Sequence, residues 1–73
     1  GKPMNIQTGF LAQKYLNVAL PLEVMQSGRG YYIGTADLES GAPATRESNE
    51  YFRMKIDAEN ALKANLWTQK EHP

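Results

Sequence analysis

Residues 20–36 read LPLEVMQSGRGYYIGTA, and this stretch decides the fold. In its first half Leu20, Leu22 and Val24 alternate with Pro21, Glu23 and Met25. A period of two with one apolar face is the pattern of a half-buried strand over 20–27, and the proline belongs at a strand start or on an edge. The Ser27–Gly30 segment supplies turn chemistry, because glycine adopts positive φ without steric cost. YYIGTA (31–36) then resumes the alternation, with Tyr31, Ile33 and Thr35 on one face and Tyr32 on the other. Two strands joined by a short Gly-rich link predict a β-hairpin. Neighbouring tyrosines cannot share a face, so the expectation sets Tyr31 with Ile33 toward the core and Tyr32 on the open side or beneath the following loop.

On the N-terminal side, TGFLAQKYLNVAL (8–20) places Leu11, Tyr15 and Val18 at helical spacing, opposite Gln13, Lys14 and Asn17. Thr8 suits an N-cap, and Pro21 closes the segment, since α conformation is disfavoured before proline. A helix is the expectation. Gly9, in what would be the first turn, keeps an extended arm in play as the competing reading.

On the C-terminal side, DLESGAPATRES (37–48) is the longest polar stretch and reads as a loop broken by Gly41 and Pro43. NEYFRM (49–54) reads as a third short strand, and LWTQK (66–70) as a final one. Between them, KIDAENALKAN (55–65) reads as a helix with Ala58, Ala61 and Leu62 on its buried stripe. Asp57 and Glu59 near its start and Lys63 near its end suit the helix dipole, and Asn65 suits a left-handed cap. Met54 stands where a Ser or Thr cap would be natural, which leaves the helix start less sharply marked. The sum is an α+β domain: a small antiparallel sheet of three to four strands, with an N-terminal and a C-terminal helix packed on one face. One domain is expected over 1–73, with 1–5 and 71–73 as loose termini.

The chain has 73 residues, no cysteine, one histidine and a formal net charge of zero. The absence of cysteine removes disulfides and thiolate metal sites, and a single histidine makes a structural zinc site unexpected. No cofactor or metal is expected. Charge balance argues against a strongly electrostatic nucleic-acid binder, though not against a local basic patch. No apolar run is long enough to span a bilayer and no secretory-signal pattern is visible, so a cytoplasmic setting without membrane contact is the expectation.

Enzymatic constellations are poorly represented. His72 falls in a polar tail, and the Glu47/Glu50 pair reads as solvated surface acids rather than as acid and base. GRGYYIG does not match a phosphate-loop spacing. Binding chemistry is better represented. Tyr31, Tyr32, Tyr51, Phe52 and Trp67 fall on expected strands, with Arg29, Arg46 and Arg53 beside them. Aromatics that stack bases and arginines that meet phosphates would make a single-strand nucleic-acid platform, although a small core also needs large side chains. Arg46 and Ser48 within TRES (45–48) could instead pin the loop to the sheet, Arg46 through an acidic partner and Ser48 by closing a turn. The candidate binding residues are therefore Arg29, Tyr32, Arg46, Ser48, Tyr51 and Arg53.

YYIGTAD, ATRESNEYF, DAENAL and LWTQK together resemble the KfrB-like small domains associated with bacterial plasmids and conjugation, over about residues 30 to 70. The resemblance rests on Tyr31, Tyr32, Ile33, Gly34, Thr35, Arg46, Glu47, Ser48, Tyr51, Phe52, Ala58, Ala61, Leu62, Trp67 and Gln69. It implies a bacterial accessory domain of a mobile element and assigns no chemical role to these positions. The leading expectation is a non-enzymatic interaction module that binds another protein or itself, through a surface built from the sheet aromatics and the 37–48 loop. The alternative is a nucleic-acid accessory protein using the sheet aromatics and arginines.

Overall fold

The computed structural model describes residues 7–73; the expected loose start at 1–5 lies outside them. Three strands, β1 (Glu23–Ser27), β2 (Gly30–Ala36) and β3 (Pro43–Arg46), form an antiparallel sheet in the order β1-β2-β3. One helix, α1 (Lys55–Ala64), packs against β1 and β2. The hairpin read from the sequence is present: Ser27 pairs with Gly30, and Val24 with Ile33, across a two-residue turn. Ser27 Oγ closes that turn by donating to the Gly30 carbonyl at 3.2 Å and accepting from the Arg29 amide.

β2 is the central strand, and residues Tyr32 to Ala36 are buried without interruption. Both of its faces are covered, so the expected open face does not exist. Tyr32 is buried and Tyr31 is the half-buried member of the pair. The ring of Tyr32 lies over Gly34, two residues on and therefore on the same face. A Cβ on Gly34 would meet Tyr32 Cε2 at 2.8 Å and would collide with the Thr45 carbonyl. Glycine here lets the aromatic lie flat against the strand.

The third strand is displaced from its expected place. Pro43–Arg46, read as loop, pairs with β2, while the expected strand at 49–54 contributes only the Tyr31–Phe52 bridge. The polar run is thus shorter as a loop, and Asp37 organises it. Asp37 Oδ1 accepts the Glu39 and Ser40 amides, and the Asp37 carbonyl accepts Gly41 N–H. Such an Asx-turn replaces missing ladder bonds locally. Between β3 and Phe52 the chain bows away from β2. The Ile33 carbonyl accepts both the Glu47 and Ser48 amides, and the Ile33 amide donates to Ser48 Oγ at 3.0 Å. A serine hydroxyl thus stands in for a strand carbonyl.

The N-terminal segment departs furthest from expectation. A helix over 8–20 is not formed. Thr8 pairs with Pro21, flanked by bonds from Gly9 N–H to the Leu20 carbonyl and from Leu22 N–H to the Gln7 carbonyl. Pro21 occupies the non-hydrogen-bonded position between them, where a missing N–H costs nothing. Helical turns begin at Phe10, continue as a π-helix over Ala12–Leu16 and end at Asn17 in left-handed conformation. Leu11 and Ala12 are buried, while Tyr15 and Val18 of the supposed core stripe face water. The competing reading, an extended arm, describes residues 7–9. Gly9 lets it pass close to the sheet, because a Cβ there would press on Thr35 Cγ2 and Glu47 Oε2 at 2.5 and 2.6 Å.

α1 matches its expected range. Ala58 and Ala61 are buried, Asn65 takes the left-handed cap at φ 58°, and its amide reaches the Ala61 and Leu62 carbonyls. Met54 precedes the helix with no side-chain cap bond. Beyond α1 the expected strand at 66–70 is reduced to the Ser48–Gln69 bridge, with Asn49 N–H on the Thr68 carbonyl and Lys70 N–H on that of Glu47. The close approach at Gly34 gives a direct test. Gly34→Ala should destabilise the domain by about 1–3 kcal/mol through overpacking. Gly28→Ala, whose added Cβ meets nothing within 4 Å, should move the urea midpoint far less.

Candidate functional site

The six candidate residues separate into three groups. Tyr32, Arg46 and Tyr51 come together. The rings of Tyr32 and Tyr51 meet edge to face at 6.0 Å, and the Arg46 guanidinium lies 4.6 Å from the Tyr51 centroid. Arg46 Nη1 donates to the Ser48 and Asn49 carbonyls at 2.7 and 3.1 Å. The expected acidic partner is replaced by two carbonyls and an aromatic face. Burial first, and then the neighbouring Tyr51, pushes the Tyr32 hydroxyl above its ordinary value, with Arg46 pulling the other way. These three side chains cover one another, so Tyr32 is not presented for a base to stack on.

Ser48 is fully buried, accepting from Ile33 and donating to the Glu50 carbonyl at 2.9 Å. Arg29 and Arg53 remain exposed. Arg29 sits in the hairpin turn, and Arg53 follows the Phe52 that pairs with Tyr31, so both lie toward the Gly30 end of β2.

The two acids expected on the surface are structural. Glu47 is fully buried, with its oxygens accepting from the Leu11 and Ala12 amides at 2.9 and 3.1 Å. Thr45 Oγ1 donates to it at 2.6 Å and Gln69 Nε2 at 2.7 Å. The Thr35 hydroxyl lies 2.6 Å from that of Thr45 and completes the chain of bonds. Glu50 takes the Thr68 amide on both oxygens at 2.9 Å. Burial pushes the Glu50 carboxyl up, but the bonds from Thr68 outweigh it and leave the group below its ordinary value. His72 is exposed, with Nδ1 3.5 Å from the Tyr15 hydroxyl. Among the described residues no three of His, Cys, Asp or Glu gather as a metal site, and no helix is long and apolar enough to cross a membrane.

A different surface has the form of a binding site. Leu16, Val18, Leu20, Leu38 and Ala44 line an open groove of about 440 Å³, with Asp37 and Glu39 on its rim. One wall is the end of the π-helix and the chain after it; the other is the β2–β3 turn and β3. Leu38 projects from the turn with 73% of its surface exposed. The Ser40 and Glu39 amides hold the Asp37 carboxyl below its ordinary value. None of the lining residues was among the six candidates. The available signal was Leu38 itself, a lone leucine between two acids in an otherwise polar stretch. No family model, curated protein or solved structure matches this chain.

The Glu50 bonds have a pH consequence. A carboxyl lowered in the folded state contributes stability that is present above its unfolded value, near 4.5, and is lost as pH falls through the folded value. Urea unfolding of wild type and Glu50→Gln should therefore differ at neutral pH and converge in acid. A gap that stays constant through the acid range would show that the ionised carboxylate is not the stabilising form.

Proposed function

We propose that the domain is a non-enzymatic interaction module that seats an apolar, cation-flanked segment of a polypeptide in the Leu16–Val18–Leu38 groove. The groove is the observation that carries this reading. Apolar side chains exposed together around a concavity are unfavourable in water and mark contact surfaces, whereas scattered ones do not. The Asp37 and Glu39 rim favours a partner with lysine or arginine beside its apolar anchor. The non-enzymatic reading draws support from the acids: Glu47 is engaged by four donors and Glu50 by Thr68. An accessory role on a bacterial mobile element is the setting that the resemblance to KfrB-like domains implies.

Arg29, Arg53 and Lys55 are exposed and are the groups that a nucleic-acid reading would have to use. With Tyr32 buried, the half-buried Tyr31 and Phe52 would have to supply the stacking beside these cations, and binding would be steeply salt-dependent.

Peptides with a Leu or Met anchor, flanked by either Lys/Arg or Asp/Glu, separate the possibilities in an NMR titration. The cation-flanked peptide should shift the Leu16, Val18 and Leu38 methyls, and Leu38→Glu should weaken its binding by about tenfold or more, as expected when an unpaired charge faces an apolar anchor. Shifts confined to other surfaces, or equal binding of the acidic peptide, would contradict the proposal.

A further inference from the structure

We propose that the segment seated in the groove is Arg53–Ile56 of a second copy of this chain. The inference rests on the reading of the groove as a polypeptide-binding site and names its occupant. Arg53, Met54, Lys55 and Ile56 are consecutive and all exposed, with Met54 at 54% and Ile56 at 55% of their surface in water. Met54 in the extended residue before α1 and Ile56 in its first turn, flanked by Arg53 and Lys55 and followed by the exposed Asp57, bring two apolar anchors and two cations to an apolar groove rimmed by two carboxylates.

Position argues that the contact is intermolecular. The groove takes Asp37, Leu38 and Glu39, which follow the Ala36 end of β2. The ridge begins at Arg53, next to the Phe52 that pairs with Tyr31 near the Gly30 end. Six residue steps of strand separate these ends by about 20 Å, so one molecule cannot fill its own groove. A second copy can. The contact joins unlike surfaces, and each molecule retains a free groove or ridge unless the assembly closes. A single short ridge buries little area, which sets the association in the weak, concentration-dependent range.

Two variants expose the two surfaces separately. Leu38→Glu spoils the groove, and the double variant Met54→Glu, Ile56→Glu spoils the ridge; both change exposed side chains, and circular dichroism checks that each is folded. In sedimentation velocity, wild type should gain mass from low-micromolar to millimolar concentration and lose that gain in high salt. Each variant alone should stay monomeric at concentrations at least about tenfold higher than wild type, as expected for an apolar contact that must now desolvate carboxylates. Their equimolar mixture should associate, because the ridge of the Leu38→Glu protein meets the groove of the other. A ridge variant that still self-associates, or a mixture that stays monomeric while wild type associates, would overturn the proposal. If wild type stays monomeric to millimolar while the cation-flanked peptide still shifts Leu38, the second copy is wrong as occupant and the groove reading stands. If neither occurs, both are wrong.

Discussion

The fold depends on a carboxylate placed where carboxylates are rarely found. Glu47 is fully buried, and four donors from three separate parts of the chain converge on it. Its bonding partners are two amides at the start of the N-terminal helical turns, a threonine hydroxyl on β3 and the amide of Gln69 near the C-terminus. Burying an acid without bonds would be prohibitive, and leaving any of these donors unpaired would cost about 1–3 kcal/mol. Satisfied in full, the same group fastens the N-terminal segment, the sheet and the C-terminal tail at one point.

That fastening explains the rest of the architecture. Seventy-three residues give too small a core for packing alone to fix every connection. Polar side chains take over where the sheet ends. Ser48 lends its hydroxyl to the Ile33 amide, Glu50 caps Thr68, and Arg46 gathers two carbonyls while lying on Tyr51. The groove is a by-product of this arrangement. Glu47 holds Leu11 and Ala12 against the sheet, and the helical turns that start there carry Leu16 and Val18 to the β2–β3 turn.

The parts legible in the sequence were those set by local chemistry. The hairpin followed from two-residue alternation and a Gly-rich turn, and α1 from its alanine stripe and the left-handed Asn65. What escaped the reading was set by distant partners. Leu11, Tyr15 and Val18 share a helical period, but the turns that Glu47 caps end at Asn17 in left-handed conformation, and the chain returns so that Thr8 pairs with Pro21 and Leu20 accepts the Gly9 amide. Pro43–Arg46 has the composition of a loop and pairs because the Asx-turn at Asp37 returns it to β2. For Tyr32 the alternation leaves an open face or a place beneath the 37–48 stretch, and the second holds, with Arg46 of that stretch and Tyr51 beside it. Of the groove only the 37–48 side was legible, as a long polar stretch suited to an interaction surface; the opposite wall at Leu16, Val18 and Leu20 lies some twenty residues away in sequence.

Amide hydrogen exchange at Leu11 and Ala12 tests the central claim most directly. Both amides sit near the start of helical turns, where an N–H without an internal partner is ordinarily open to water. If Glu47 fastens the segment, they should exchange as slowly as the amide of Ile33 in β2, at the rate set by global unfolding. Exchange as fast as that of the exposed residues 71–73 would contradict the account.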